Sequence, residues 1–71
     1  MTDTIGSRLK SVRMEHDISI SQLARDMEVE RRTIYRAEND LGMPSTFVIM
    51  KYSEYFCISA DWILFGKEYE E

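Results

Sequence analysis

The chain has 71 residues, with nine Lys or Arg, 13 Asp or Glu, one His and one Cys, giving a formal net charge of -4. That length supports one small domain, since a single core takes roughly 50 to 150 residues, and a 44% hydrophobic content excludes a disordered chain. The lone Cys57 excludes an intramolecular disulfide and a zinc knuckle built on several thiolates, and fits a reducing compartment.

Met1 to Ile5 lacks the basic stretch and apolar stretch of a secretory signal. Ile5, Leu9 and Val12 recur at i, i+4 and i+7, which predicts a first helix over about 4–16, closing at His16. Ser19, with Gln22 three residues later, forms a capping-box pattern for a second, short helix whose inner face is Leu23, Ala24 and Met27. A third helix is expected over about 30–39. Asp40-Leu41-Gly42-Met43-Pro44 breaks it, and Ser45 opens a fourth over about 46–56. On that helix Ile49, Met50, Ser53 and Phe56 form the predicted core stripe, flanked by Val48, Tyr52 and Tyr55, with Lys51 and Glu54 opposite. Ser59 precedes a fifth helix with Asp61 in its first turn and Gly66 as its stop. Residues 1–66 are thus read as the domain and 67–71 as a short acidic tail. The longest apolar runs, Phe47 to Met50 and Trp62 to Phe65, are far short of the roughly 18 residues that span a bilayer. The chain reads as soluble and cytoplasmic, with no membrane partner.

The charge is unevenly spread. Arg8, Lys10, Arg13, Arg25, Arg31, Arg32 and Arg36 fall in the first 38 residues, balanced by seven acids, while the remaining 33 residues carry the whole excess of acid. Plotted at about 100° per residue, Arg31, Arg32, Tyr35, Arg36 and Asn39 occupy one side of the third helix, and Thr33, Ile34 and Ala37 the other. Three arginines on a helix fit a solvated face equally well. However, the second and third helices are joined by only a few residues around Glu28-Val29, the arrangement in which a second helix can enter a DNA major groove.

Ile18-Ser19-Ile20-Ser21-Gln22-Leu23-Ala24, Val29, Thr33-Ile34, Glu38-Asn39, Pro44-Ser45 and Ile58-Ser59-Ala60-Asp61-Trp62-Ile63-Leu64 together resemble the Cro and phage-repressor type of helix-turn-helix, the XRE family, over about residues 5–66. The resemblance implies an all-α, five-helix lambda-repressor-like domain with its third helix in the major groove of a double-stranded DNA operator. A small phage or mobile-element repressor follows as the expectation, binding a palindromic site as a homodimer and regulating transcription by blocking polymerase. An arginine guanidinium offers parallel donors that match O6 and N7 of guanine. Arg31, Arg32 and Arg36, which also stand at the family's base-contact positions, are therefore the candidate base readers. Tyr35 fits either a thymine methyl or a phosphate. Ser19, Ser21 and Gln22, with the first amides of the second helix, are candidate phosphate contacts. By family position, Asn39 is another phosphate contact, although it serves equally as a helix-end residue. Family positions also imply a structural ion pair between Arg13 and Glu38, and Ala60 and Ile63 are the expected dimer-interface residues.

Several residues depart from the family pattern. Ile20 stands where Gln is common, Glu28 where Gly is usual in the turn, and Glu30 where a small capping residue is usual. The loop Leu41-Gly42-Met43 is apolar where basic residues are frequent, which predicts fewer phosphate contacts and a shallower salt dependence. No phosphate-cradling glycine loop, metal-spaced cluster or nucleophile-base set occurs, so neither an enzyme nor a cofactor nor a metal is expected. His16 is explained by the dipole of the first helix, and Cys57 is expected to be a small buried residue. The rival reading keeps the fold but binds a protein partner, as an antitoxin, anti-repressor or co-regulator. It draws on Ile20, the apolar loop and the flank of Val48, Tyr52, Tyr55 and Phe65.

Overall fold

The computed structural model describes residues 3–67, which form five helices in the order α1 (Ile5–Glu15), α2 (Ile20–Met27), α3 (Arg31–Glu38), α4 (Thr46–Phe56) and α5 (Ala60–Phe65). The acidic tail after residue 67 lies outside the described residues. Four of the five helices begin at a hydroxyl residue that accepts a hydrogen bond from a first-turn amide, namely Thr4, Ser19, Ser45 and Ser59. The reciprocal capping box occurs at α1, between Thr4 and Ser7. At α2, where the sequence predicts one, the Gln22 side chain turns forward to Asp26 and leaves only half of it.

Leu9, Leu23, Ile34, Tyr52 and Ile63, one from each helix, are fully buried at the centre of the core. α3 packs against both α1 and α2, and α5 closes the base against α1 and α4. The fully buried Ile63 offers no surface to a second chain, which corrects its assignment to a dimer interface; Ala60 is half-buried. The stripe on α4 also differs from the sequence expectation. Val48, Ile49, Tyr52 and Phe56 are buried, whereas Met50 is 51% exposed. A wheel weighted by hydropathy favours Met over Tyr, but Tyr52 is drawn inward because its hydroxyl finds a buried acceptor.

Two close approaches tie α1 to the rest of the domain. Gly6 lies against the C-terminal end of α3: a Cβ there would be 2.7 Å from the Ala37 carbonyl oxygen and 2.6 Å from Asp40 Oδ1. The Asp40 carboxylate instead accepts from the Gly6 amide (2.9 Å) and the Thr4 hydroxyl (2.6 Å). Two residues further along α1 the buried Arg8 donates through Nε to the Ile63 carbonyl (2.9 Å) and through Nη2 to the Leu64 carbonyl (3.2 Å). Those are last-turn carbonyls of α5 that lack intrahelical partners, so Arg8 satisfies them and places a cation at the negative end of that helix.

Candidate nucleic-acid interface

The turn between α2 and α3 is built on Glu28, which adopts φ 60° and ψ 44° and donates its amide back to α2. A left-handed glutamate carries a backbone cost of about 1 kcal/mol. The turn nevertheless closes, because the Val29 amide donates to the Ala24 carbonyl at 2.9 Å and Val29, like Ile18 and Ile20, packs against the core. Glu30 is the N-cap of α3 and makes no side-chain capping bond, although its carbonyl accepts from the Thr33 amide at 2.9 Å. Ile20 faces the core, consistent with an apolar residue at that position.

With Ile34, Ala37 and Glu38 turned inward, α3 exposes Arg31, Arg32, Tyr35 and Arg36 along one side. The side chains of Arg31, Arg32 and Tyr35 have no hydrogen-bond or ion-pair partner among the described residues. Arg36 donates through Nη2 to the Leu41 carbonyl at 2.7 Å, and Asn39 donates through Nδ2 to the Tyr35 carbonyl at 2.8 Å. The loop that follows exposes Leu41 and Met43.

On the adjoining face of α2, Ser19 Oγ accepts from the Gln22 amide at 3.0 Å and its own proton remains free to donate. Ser21 is half-buried. Gln22 is committed within its own helix: Nε2 donates to Asp26 Oδ1 at 2.9 Å, and Oε1 lies 3.4 Å from Arg25 Nη1. The Tyr55 hydroxyl completes this chain by donating to Asp26 Oδ2 at 2.6 Å. Bonds from Tyr55 and then Gln22 hold the Asp26 carboxyl below its ordinary range, and the same carboxylate pushes the Tyr55 phenol up. Sequence reasoning did not single out Arg25, Asp26 or this link to α4. The i+3 and i+4 spacings from Gln22 were its only visible signal.

Behind the exposed face, the partly buried Arg13 forms an ion pair with the buried Glu38. Nε lies 2.9 Å from Glu38 Oε2, and Nη1 donates to the Ile18 carbonyl at 2.8 Å. The Tyr52 hydroxyl donates to the same Oε2 at 2.8 Å. Burial, with the Glu38 charge adding to it, pushes the Tyr52 phenol far above its ordinary value, while the bond to Glu38 raises Arg13. No buried side-chain nitrogen or oxygen among the described residues lacks a partner.

The flank proposed for a protein partner is divided: Val48 and Tyr52 belong to the core, whereas Tyr55, bonded to Asp26, and Phe65 are exposed. Cys57 is exposed, not buried, and takes a left-handed φ of 54° to end α4. His16 closes α1 with Nδ1 2.9 Å from the Val12 carbonyl and its ring 4.8 Å from that of Phe56. Among the described residues no helix is long and apolar enough to cross a membrane.

A family model described as helix-turn-helix matches residues 9–63. Among solved structures, the fold is similar to the P22 c2 repressor in complex with a synthetic operator, with a TM-score of 0.85 and 23% identity, covering 93% of this chain and 100% of that one. The N-terminal DNA-binding domain of SinR from Bacillus subtilis matches with a TM-score of 0.78 and 29% identity over 94% of this chain and 96% of that one. A SinR–SinI protein complex matches at 0.80 and 30% over 87% of this chain, which spans 61% of that chain's length. No curated protein sequence matches the chain.

Proposed function

The chain belongs to the helix-turn-helix family of DNA-binding transcriptional regulators, of Cro and phage-repressor type, and from that premise we propose that it is a sequence-specific repressor of a phage or mobile element. One observation carries the reading: α3 presents Arg31, Arg32, Tyr35 and Arg36 side by side on the face opposite its buried residues. That face enters the major groove, where guanidinium forks read guanine edges and the tyrosine meets a methyl or a phosphate. Ser19 and Ser21, with the first amides of α2, set the register on the DNA backbone, and Gln22 and Asn39 add phosphate contacts once released from their own helices.

Two copies, joined through the α5 surface around Ala60, place two such helices about 34 Å apart on a palindromic operator and exclude polymerase sterically. This takes place in the cytoplasm, and residues 1–66 are the unit that does it. Selection from random-sequence duplex DNA at moderate salt tests the proposal. The expected product is a two-fold-symmetric motif with guanines at the read positions. Enrichment of nothing at any salt overturns it in favour of a protein-binding role, a role whose nearest precedent here is the similarity to the SinR–SinI complex.

A further inference from the structure

Arg36 differs from its neighbours on the exposed face of α3 in being held. Arg31 and Arg32 stand at the first two positions of the helix, whereas Arg36 lies in its last turn and is tethered by Nη2 to the Leu41 carbonyl, 2.7 Å away. The tether turns the guanidinium toward the C-terminal end of the helix. The carbonyl is presented there by the turn at Gly42, whose φ of +139° is open to glycine and closed to other residues. Beside the tethered group a groove of about 250 Å³ runs between α3 and the start of α4. Its polar side chains are Arg36 and the hydroxyls of Thr33 and Ser45, and no acidic residue lines it.

Reading a guanine edge requires the guanidinium fork to align its parallel donors in the plane of the base. A fork with one Nη engaged by its own backbone, and directed off the end of the helix, is poorly placed to do so. A phosphate accepts from many directions and asks only for positive charge and single donors, which Arg36 and two neighbouring hydroxyls supply. We infer that Arg36 is a backbone-phosphate contact held in place by the Leu41–Gly42 turn, and that base discrimination falls to Arg31, Arg32 and Tyr35. The inference rests on the DNA-binding reading above and refines which residue does what within it.

The test repeats the random-duplex selection with the wild-type chain, Arg36→Ala, Arg36→Lys and Arg32→Ala, and follows affinity for the wild-type-selected duplex as a function of salt. Arg36→Ala is expected to return the wild-type motif, to bind selected and scrambled duplexes about tenfold more weakly, and to lower the slope of log K against log salt by about 0.9. Arg36→Lys keeps the charge and is expected to keep both motif and slope, so it remains informative if the alanine variant loosens the loop. Arg32→Ala is expected to change the motif. A motif that loses one position with Arg36→Lys overturns the assignment alone. Failure of the wild-type chain to select any motif overturns the DNA reading and this assignment with it.

Discussion

The two ends of α3 are treated oppositely. At its C-terminal end Glu38 is locked by Arg13 and Tyr52, Asn39 folds back on the Tyr35 carbonyl, Arg36 is tethered to Leu41, and Asp40 reaches across to α1. At its N-terminal end Arg31 and Arg32 are exposed without partners among the described residues, and Glu30 provides no capping bond. A helix anchored at one end can offer the side chains of the other to a ligand at a fixed angle. The locked end pays for a feature that is unfavourable on its own, since a carboxylate at a helix C-terminus opposes the helix dipole. The Arg13 cation is what allows Glu38 to sit there buried.

Removing that carboxylate is therefore the strongest way to break the contrast. Glu38→Ala leaves the Arg13 guanidinium and the Tyr52 hydroxyl without their acceptor, and a stability loss of about 3 to 5 kcal/mol is expected, measured by urea denaturation. A loss below about 1 kcal/mol would falsify the anchoring role of this end. Gly6→Ala attacks the same end from α1. The added methyl meets the Ala37 carbonyl, a backbone atom that cannot retreat without moving the end of α3. Overpacking of this kind costs about 1 to 3 kcal/mol, again read from the urea midpoint.

Much of this was legible in the sequence, for identifiable reasons. The serines before α2, α4 and α5 announced their helix starts because a hydroxyl at an N-cap has a local purpose, and the faces of α3 followed from a charge pattern too regular to misread. What escaped depends on contacts distant in sequence. Nothing in the sequence marks Arg8 as buried, because the α5 carbonyls it satisfies lie 55 positions away or more. Tyr52 reads as a flank until Glu38 supplies an acceptor, and Ile63 reads as an interface residue until the core closes over it. Cys57 carries no local signal for a left-handed backbone, a conformation set by the turn from α4 to α5.

Tyr52→Phe sharpens the comparison by removing one bond while leaving the ring in the core. The buried hydrogen bond to a charged acceptor is worth about 1.5 kcal/mol at neutral pH. Its loss has a pH signature. Because the folded chain raises the phenol above its ordinary value, the protonated hydroxyl contributes its full stabilisation below the unfolded value of about 10. That contribution fades as pH rises beyond it. Urea midpoints of the wild type and Tyr52→Phe are thus expected to differ most near pH 8 and to converge by about pH 11. A gap that stays constant with pH would show that folding does not shift the Tyr52 phenol.

The smallest effect on stability belongs to the opposite end, and it completes the argument. Arg32 is exposed and its side chain has no hydrogen-bond or ion-pair partner among the described residues, so Arg32→Ala is expected to leave stability, read from the urea midpoint, within about 0.5 kcal/mol of wild type. Against the selected duplex the same substitution is expected to cost about 1 to 3 kcal/mol and to relax one base position. If Arg32→Ala instead destabilised the fold as Glu38→Ala does, the free end would be structural too, and the division of α3 into an anchor and a reader would collapse. A silent folding result paired with a loss of affinity isolates recognition, because the substitution then acts on the duplex and not on the fold.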